Sequence, residues 1–177
     1  MFKRNVTEAF KRISSQWLEN LNAFDDNILY TKPTENEWCM AELYDHIMRV
    51  ARTYQIPNFY NCINNTPKLG AKKNIKGYII FDLNFLPKRK IKIASFPNTI
   101  ITDFTPQIRE RKELTEDFKN FINEGIAISG ILKKSNTTTK NHHPFFGMIS
   151  AREWFSLMEI HMRHHQPQKK RLEQISI

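Results

Sequence analysis

The chain has 177 residues and 40% hydrophobic residues, which suits one globular domain spanning residues 1–177. Its two cysteines are too few for a disulfide framework, and no run of about 18 apolar residues or secretory leader is evident, so we expect a cytoplasmic protein without a membrane span. The net charge of +9 raises the question of nucleic acid.

The excess charge is concentrated in one segment. Between Lys68 and Lys92 there are eight Lys or Arg residues and one acid, Asp82, so this segment carries +7. Such a cluster usually forms a solvated surface, and we interpret it so. A phosphate-binding patch is the alternative, but nucleic acid is not the partner that we expect.

The first two helical patterns have clear apolar stripes. Residues 3–24 carry apolar side chains at steps of three and four, and a second pattern runs from Met40 to about Asn61. Pro57 should shorten or kink this second helix. Residues 65–104 have no comparable periodicity, and their apolar runs, YIIF and IKIASF, suit either short strands or helical turns.

Two further helices are predicted after this long connection. Thr105 as N-cap and Pro106 at the first position predict a third helix that continues to about Lys133. The polar sequence KKSNTTTKNHHP then predicts an exposed loop, and Ser150 with Glu153 predicts a capping box at the start of the fourth helix, which continues through Leu172. The pattern predicts an all-α four-helix bundle with a long crossover between helices 2 and 3.

The chemistry suggested by the fourth helix depends on a histidine pair. His161 and His165 are four residues apart, so their side chains diverge by only about 40° and two imidazoles can reach one cation. His164 competes for the second position, because an i,i+3 pair can also share a metal, but it lies further from the apolar centre. The alternative for such residues is a pair of hydrogen-bonded core histidines.

A metal site needs a third ligand from another part of the chain. His46 flanks the apolar stripe of the second helix and should face the bundle interior, with Glu42 one turn before it. We interpret His142 and His143 as exposed or turn-forming, with pocket lining as the alternative.

Two motifs, taken in order, resemble the DinB-like (DinB/YfiT) family of metal-binding four-helix proteins. They are NEWCMAELYDH at residues 36–46 and HPFFGMISAREWFSLMEIHMRHHQPQ at residues 143–168. The resemblance implies a metal site made of His46, His161 and His165, followed by Gln168. Cys39 stands where the family usually has a Ser or Thr cap. Pro167 should kink or end the fourth helix and displace Gln168.

Three imidazoles favour zinc or nickel over magnesium or calcium. The family resemblance implies a metal-dependent enzyme acting on a small molecule, more plausibly a thiol S-transferase that uses a low-molecular-weight thiol such as bacillithiol than a hydrolase. It also implies a possible homodimer. Glu42 or Glu159 would then be a partner of the site or its base. The alternative function is a non-catalytic, stress-related binding or scaffold protein with a structural or vestigial metal.

Overall fold

The computed structural model describes residues 4–65, 72–86 and 104–175. Within these ranges the protein is mostly helical, so the all-α prediction is correct in its main feature, and a two-stranded antiparallel hairpin is added to it. No helix in the described ranges is both long enough and apolar enough to cross a membrane.

The helices and strands follow one another as a helical first half, a short central helix, and a helix–hairpin–helix second half. In chain order they are α1 (Val6–Ala23), α2 (Asp26–Tyr30), α3 (Met40–Val50), a π-helical turn (Ala51–Gln55), α4 (Ile56–Asn64), α5 (Ile75–Phe81), α6 (Arg111–Lys134), β1 (Lys140–His143), β2 (Gly147–Ser150) and α7 (Ala151–Leu172).

The core lies between the long helices. Helices α1 and α3 each pack against both α6 and α7, and α4 packs against α7. Trp17, Tyr44, Phe118 and Trp154 are completely buried at this junction. The Tyr44 hydroxyl donates a hydrogen bond of 2.7 Å to the Trp17 carbonyl, which satisfies the buried phenol and ties α3 to α1.

Close packing of α1 on α6 requires a glycine. A Cβ atom at Gly125 would lie 2.3 Å from the Phe10 ring, well inside van der Waals contact. The missing side chain of Gly125 thus makes room for an aromatic side chain from α1.

The second predicted helix continues past Pro57 without a break. A π-helical turn precedes it, in which the Ile56 amide bonds to the Ala51 carbonyl. In this turn an amide bonds to the carbonyl five residues earlier instead of four. Val50 and Gln55, which are five residues apart, therefore lie on the same face. Proline, which has no N–H to offer, occupies the second position of α4.

The connection after α4 is partly described. The run YIIF belongs to helix α5, whose N-cap is Asn74, whereas IKIASF lies outside the described residues. Of the eight basic residues in this segment, only Lys72, Lys73 and Lys76 fall in described positions. Lys73 pairs with both Asp82 and Glu153, so its charge is balanced within the fold.

The third predicted helix begins later than expected, and the loop after it is shorter than predicted because it runs into a β-strand. Helix α6 begins at Arg111, because residues 104–107 are held by contacts with α3 instead of forming a first helical turn. The predicted exposed loop ends in strand β1, which pairs with β2. The hairpin is held further by backbone bonds from Asn74 to the Phe146 carbonyl and from Met148 to the Lys72 carbonyl.

The fourth helix begins as predicted and does not stop at Pro167. Ser150 and Glu153 form the expected capping box, and α7 continues through Pro167 to Leu172. The predicted end of the helix at Pro167 is therefore wrong. Pro167 lies on the exposed side, where water can bond to the Arg163 carbonyl that loses its helical partner.

Candidate metal centre

Helices α3 and α7 bring three histidines together. His46 comes from α3, and His161 and His165 come from adjacent turns of α7; one ligand nitrogen of each lies within 4.8 Å of the others. The ring of His46 is 5.0 Å from that of His161 and 5.1 Å from that of His165, centre to centre. These three residues are the ones that the sequence predicted, and they could hold a metal ion.

Hydrogen bonds fix the tautomers of two of the rings. His46 Nδ1 lies 2.9 Å from the carbonyl oxygen of Phe104, which can only accept, so Nδ1 carries the proton. His165 Nδ1 lies 2.9 Å from Gln168 Oε1 and donates to it in the same way. Both rings therefore present a bare Nε2 atom, the arrangement of a histidine ligand whose other nitrogen is held by an outer partner.

The third ring completes a set that fits a cation. His161 Nε2 lies 3.1 Å from His165 Nε2, close to the roughly 3.3 Å that separates two nitrogens on a tetrahedral zinc ion. His161 Nδ1 is buried, and among the described residues it has no hydrogen-bond partner. Without a cation, a proton on His161 Nε2 must bridge the two rings. With a cation bound, both Nε2 lone pairs would be available to it.

The burial of these rings keeps them neutral. Burial lowers the pKa of His46, and it lowers the pKa of His161 well below the usual value, with further contributions from the neighbouring histidines. Burial, followed by the charge of His46, lowers the pKa of His165 to about 3. Imidazoles bind metals in the neutral form, so all three are ready to ligate at pH 7.

The Phe104 carbonyl that orients His46 is held in place by an ion-pair network. Asp45 is 3% exposed, and its Oδ2 accepts hydrogen bonds from the Gln107 amide at 2.8 Å and from Arg49 Nε at 3.1 Å. Arg109 approaches the same carboxylate at 3.6 Å. Asp45 thus ties the segment after Phe104 to α3, one residue before the histidine that this segment orients.

We expect Asp45→Asn to weaken metal binding severalfold, less than the about 10- to 100-fold that losing a direct outer partner of a ligand costs, because Asp45 acts through the segment that carries the Phe104 carbonyl. The amide keeps the shape of the carboxylate but loses its charge, so the hold on the Gln107 amide and on both arginines weakens. The measurement is the metal dissociation constant by competition with a chromophoric chelator, beside urea unfolding of the same samples.

Glu113→Gln is the matched control, because Glu113 also pairs with Arg109 but is 61% exposed and does not touch residues 104–107. It should leave the metal affinity unchanged. An Asp45→Asn protein that is folded and binds metal as tightly as the original chain would contradict this positioning role.

An apolar pocket of about 180 Å³ adjoins the three rings. All three histidines line it, and most of its remaining wall is aliphatic or aromatic. The wall includes Trp38, Val50, Tyr54, Phe104, Leu157 and Ile160. The Trp38 ring lies 4.6 Å from the His46 ring, so the pocket and the candidate metal centre share a wall.

No family model and no curated protein sequence matches this chain. The metal centre therefore stands on the geometry of its own residues. The resemblance seen in the sequence motifs stays a prediction.

The structure places the competing candidates in other roles. His164 lines the pocket but is not one of the three residues whose nitrogens converge. Gln168, despite Pro167, reaches His165 as described above. Neither predicted acid contacts the rings among the described interactions: Glu42 accepts from the Cys39 amide and pairs with Lys32, and Glu159 pairs with Arg4 and Arg163.

Two of these findings correct the interpretation of individual residues. Glu42 belongs to the capping box of α3, in which its carboxylate accepts the Cys39 amide at 2.9 Å. His142 is exposed as expected, but His143 is only 5% exposed and lines the pocket, stacked on Phe146 at 4.4 Å between ring centres. The alternative of pocket lining is thus correct for His143.

Several residues that shape the site were missed. Phe104 follows His46 by 58 positions, and no local pattern signals that its carbonyl orients an imidazole. Tyr54 and Gln55 line the pocket together because the π-helical turn adds a residue between α3 and α4. Pro57 was the available signal, since a proline just after an unbroken apolar stripe indicates altered helical hydrogen bonding.

Proposed function

We propose that this protein is a metal-dependent enzyme in which His46, His161 and His165 hold one zinc or nickel ion and promote thiol S-transfer. The observation that carries the proposal is the convergence of three neutral imidazoles at the wall of an apolar pocket. A ligand bound in this pocket would lie beside the rings, which is the arrangement that metal-assisted chemistry needs.

The donor set supports zinc or nickel. Three nitrogens without a carboxylate suit borderline transition metals, whereas magnesium and calcium prefer oxygen. Three protein ligands leave a position for an exogenous one. The outer hydrogen bonds from His46 to Phe104 and from His165 to Gln168 would hold the rings in a fixed orientation as that position is filled.

A bound metal would lower the pKa of a coordinated thiol, so that the thiolate is available at neutral pH. In the transfer, the sulfur forms a bond to an electrophilic carbon, the leaving group departs with the electrons of the bond that breaks, and the thiol proton passes to solvent. The residues of the chain orient the rings and exclude water from the apolar wall, which favours sulfur attack over hydrolysis.

The motif order around these residues supports a DinB-like four-helix bundle as the framework, with a low-molecular-weight thiol such as bacillithiol as the sulfur donor. A homodimer stays a prediction. The competing function, a non-catalytic binding or scaffold protein with a structural metal, differs in what metal removal does to the fold.

The test begins with elemental analysis of protein purified without a histidine tag. We expect about one zinc or nickel ion per chain. The protein is then assayed with bacillithiol and benzyl chloride, and the thioether product is quantified by chromatography. Turnover should disappear on dialysis against a chelator and return with zinc or nickel, while circular dichroism shows that the metal-free chain remains folded.

Two results would contradict the proposal. Turnover that does not depend on metal removes the metal from the chemistry. Unfolding on chelation, with no turnover of any thiol and halide pair when the metal is present, supports the structural alternative.

A further inference from the structure

The pocket beside the candidate metal centre is lined mainly by apolar side chains. Apart from Gln55, Tyr54, Trp38 and the histidines, its described lining residues are entirely apolar, and Lys, Arg, Asp and Glu are absent from them. The walls come from α3, the π-helical turn, α5, the hairpin and α7, so the lining is not the face of one helix.

The size of the pocket matches a single aromatic ring. Its volume is about 180 Å³, and an engineered cavity of about 150 Å³ lined by Leu, Ile and Phe binds benzene. A ring with one short substituent therefore fits, whereas a sugar-bearing or peptide thiol is larger. Aromatic side chains on several sides, among them Tyr54, Phe104 and Phe146, offer edge and face contacts to such a ring.

The same wall disfavours an anion. A sulfonate or carboxylate entering it would lose hydration without a basic side chain of the described lining to pair with. The described basic residues that precede α5 in the basic segment, Lys72 and Lys73, do not line the pocket, and the ammonium group of Lys73 is already paired with two acids.

One buried polar group remains in the wall. Gln55 is 5% exposed and lines the pocket, and its Oε1 atom has no hydrogen-bond partner among the described residues. A buried acceptor left without a partner destabilises the fold. A hydroxyl or amide on a bound ring would supply the donor that this acceptor lacks.

We propose that the second substrate of the centre, the electrophile, carries an uncharged aromatic ring that binds in this pocket with a hydrogen-bond donor directed to Gln55. This inference rests on the proposed function for the identity of the ligand as a substrate. The preference of the pocket for a neutral ring follows from its own lining and can be measured separately.

The experiment compares two probes by fluorine NMR on the full-length protein as purified. 4-Fluorobenzyl alcohol is neutral and has a hydroxyl, and 4-fluorobenzenesulfonate has the same ring with an anion that is a poor metal ligand. We expect the alcohol to bind with a dissociation constant on the order of 1 mM or tighter, since a nine-atom ligand can reach that affinity. The sulfonate should bind at least tenfold more weakly.

Variants locate the bound probe. Val50→Phe and Ile160→Phe fill the pocket from α3 and α7, and each should weaken alcohol binding at least tenfold. Two positions are used so that a folding defect in one leaves the other to decide. Ile126→Phe is the control, because Ile126 lies 41% exposed on α6 and does not line the pocket. Gln55→Leu should weaken the alcohol but not fluorobenzene.

Sulfonate binding as tight as that of the alcohol would overturn the proposal, and so would alcohol binding that a folded filling variant leaves unchanged. A cobalt titration of the same samples, followed by visible absorption, tests the metal centre independently. Cobalt binding without probe binding would contradict the proposed aromatic substrate but not the proposed function. Probe binding without cobalt binding would contradict the proposed metal centre but not the preference of the pocket for a neutral ring.

Discussion

Replacing His161 with alanine is expected to abolish stoichiometric metal binding while leaving the metal-free protein folded. Losing a hydrogen-bonding partner of a ligand already costs 10- to 100-fold in affinity, so losing one of three ligands should cost more than about 100-fold. The metal-free fold should tolerate the change, because the ring carries a buried nitrogen with no partner among the described residues and alanine favours a helix. Metal affinity by chelator competition and thermal melting in a chelator measure the two effects.

Added zinc or nickel should raise the free energy of unfolding of the original chain but not that of the His161→Ala protein. A ligand present at 100 times its dissociation constant adds about 2.7 kcal/mol to the free energy of unfolding. His164→Ala is the matched control, since His164 lies on the same helix and lines the same pocket but is outside the converging group. If His164→Ala removes metal binding and His161→Ala retains it, the ligand assignment is wrong.

Acidification is expected to destabilise the metal-free protein steeply between pH 6.5 and about 3, and His143 should account for a separable part of the slope. Burial, followed by the charge of His142, lowers the pKa of His143 to about 3 from its ordinary 6.5. Below pH 6.5 the unfolded chain binds a proton that the folded chain does not. The free energy of unfolding therefore rises with pH in this range, by about 1.4 kcal/mol per pH unit for one such group, and is fully present above pH 6.5.

His143→Asn tests this contribution. The Phe145 amide donates to His143 Nδ1 at 3.1 Å, and the asparagine side-chain oxygen can accept in nearly the same place. The variant should lose about 1.4 kcal/mol per pH unit from the slope of unfolding free energy against pH, measured by urea melts in a chelator. His142→Asn, at an exposed site on the same strand, is the control. An unchanged slope in a folded His143→Asn protein would show that the buried ring does not titrate as described.

Local helical geometry accounts for the parts of the site that could be predicted. The positions of His161 and His165 relative to each other depend only on their spacing in α7, and helix periodicity placed His46 on an inward face. The Ser150 and Glu153 capping box is likewise a contact within four residues. Interactions of this range depend on the sequence itself, so the pattern was enough to predict them.

Prediction failed where distant segments decide the local structure. The sequence around His143 is polar and resembles an exposed loop, but bonds to residues 72–74 turn it into a hairpin and bury the ring. Thr105 and Pro106 have the chemistry of a helix start, but Asp45 and His46 hold the backbone near them, so α6 begins at Arg111. In both cases the free energy of a tertiary contact exceeds that of a local preference.

The amino-acid sequence by itself determined the helical character, the pair of imidazoles on one helix face and the third histidine as a candidate ligand, because helix periodicity and residue chemistry are local properties. Only the tertiary structure decided which nitrogen of His46 is bare, since the Phe104 carbonyl approaches its ring from 58 residues away. It alone also decided that the site adjoins an apolar pocket without charged lining in the described residues. A pocket is a space between elements, and its walls are set by how those elements pack.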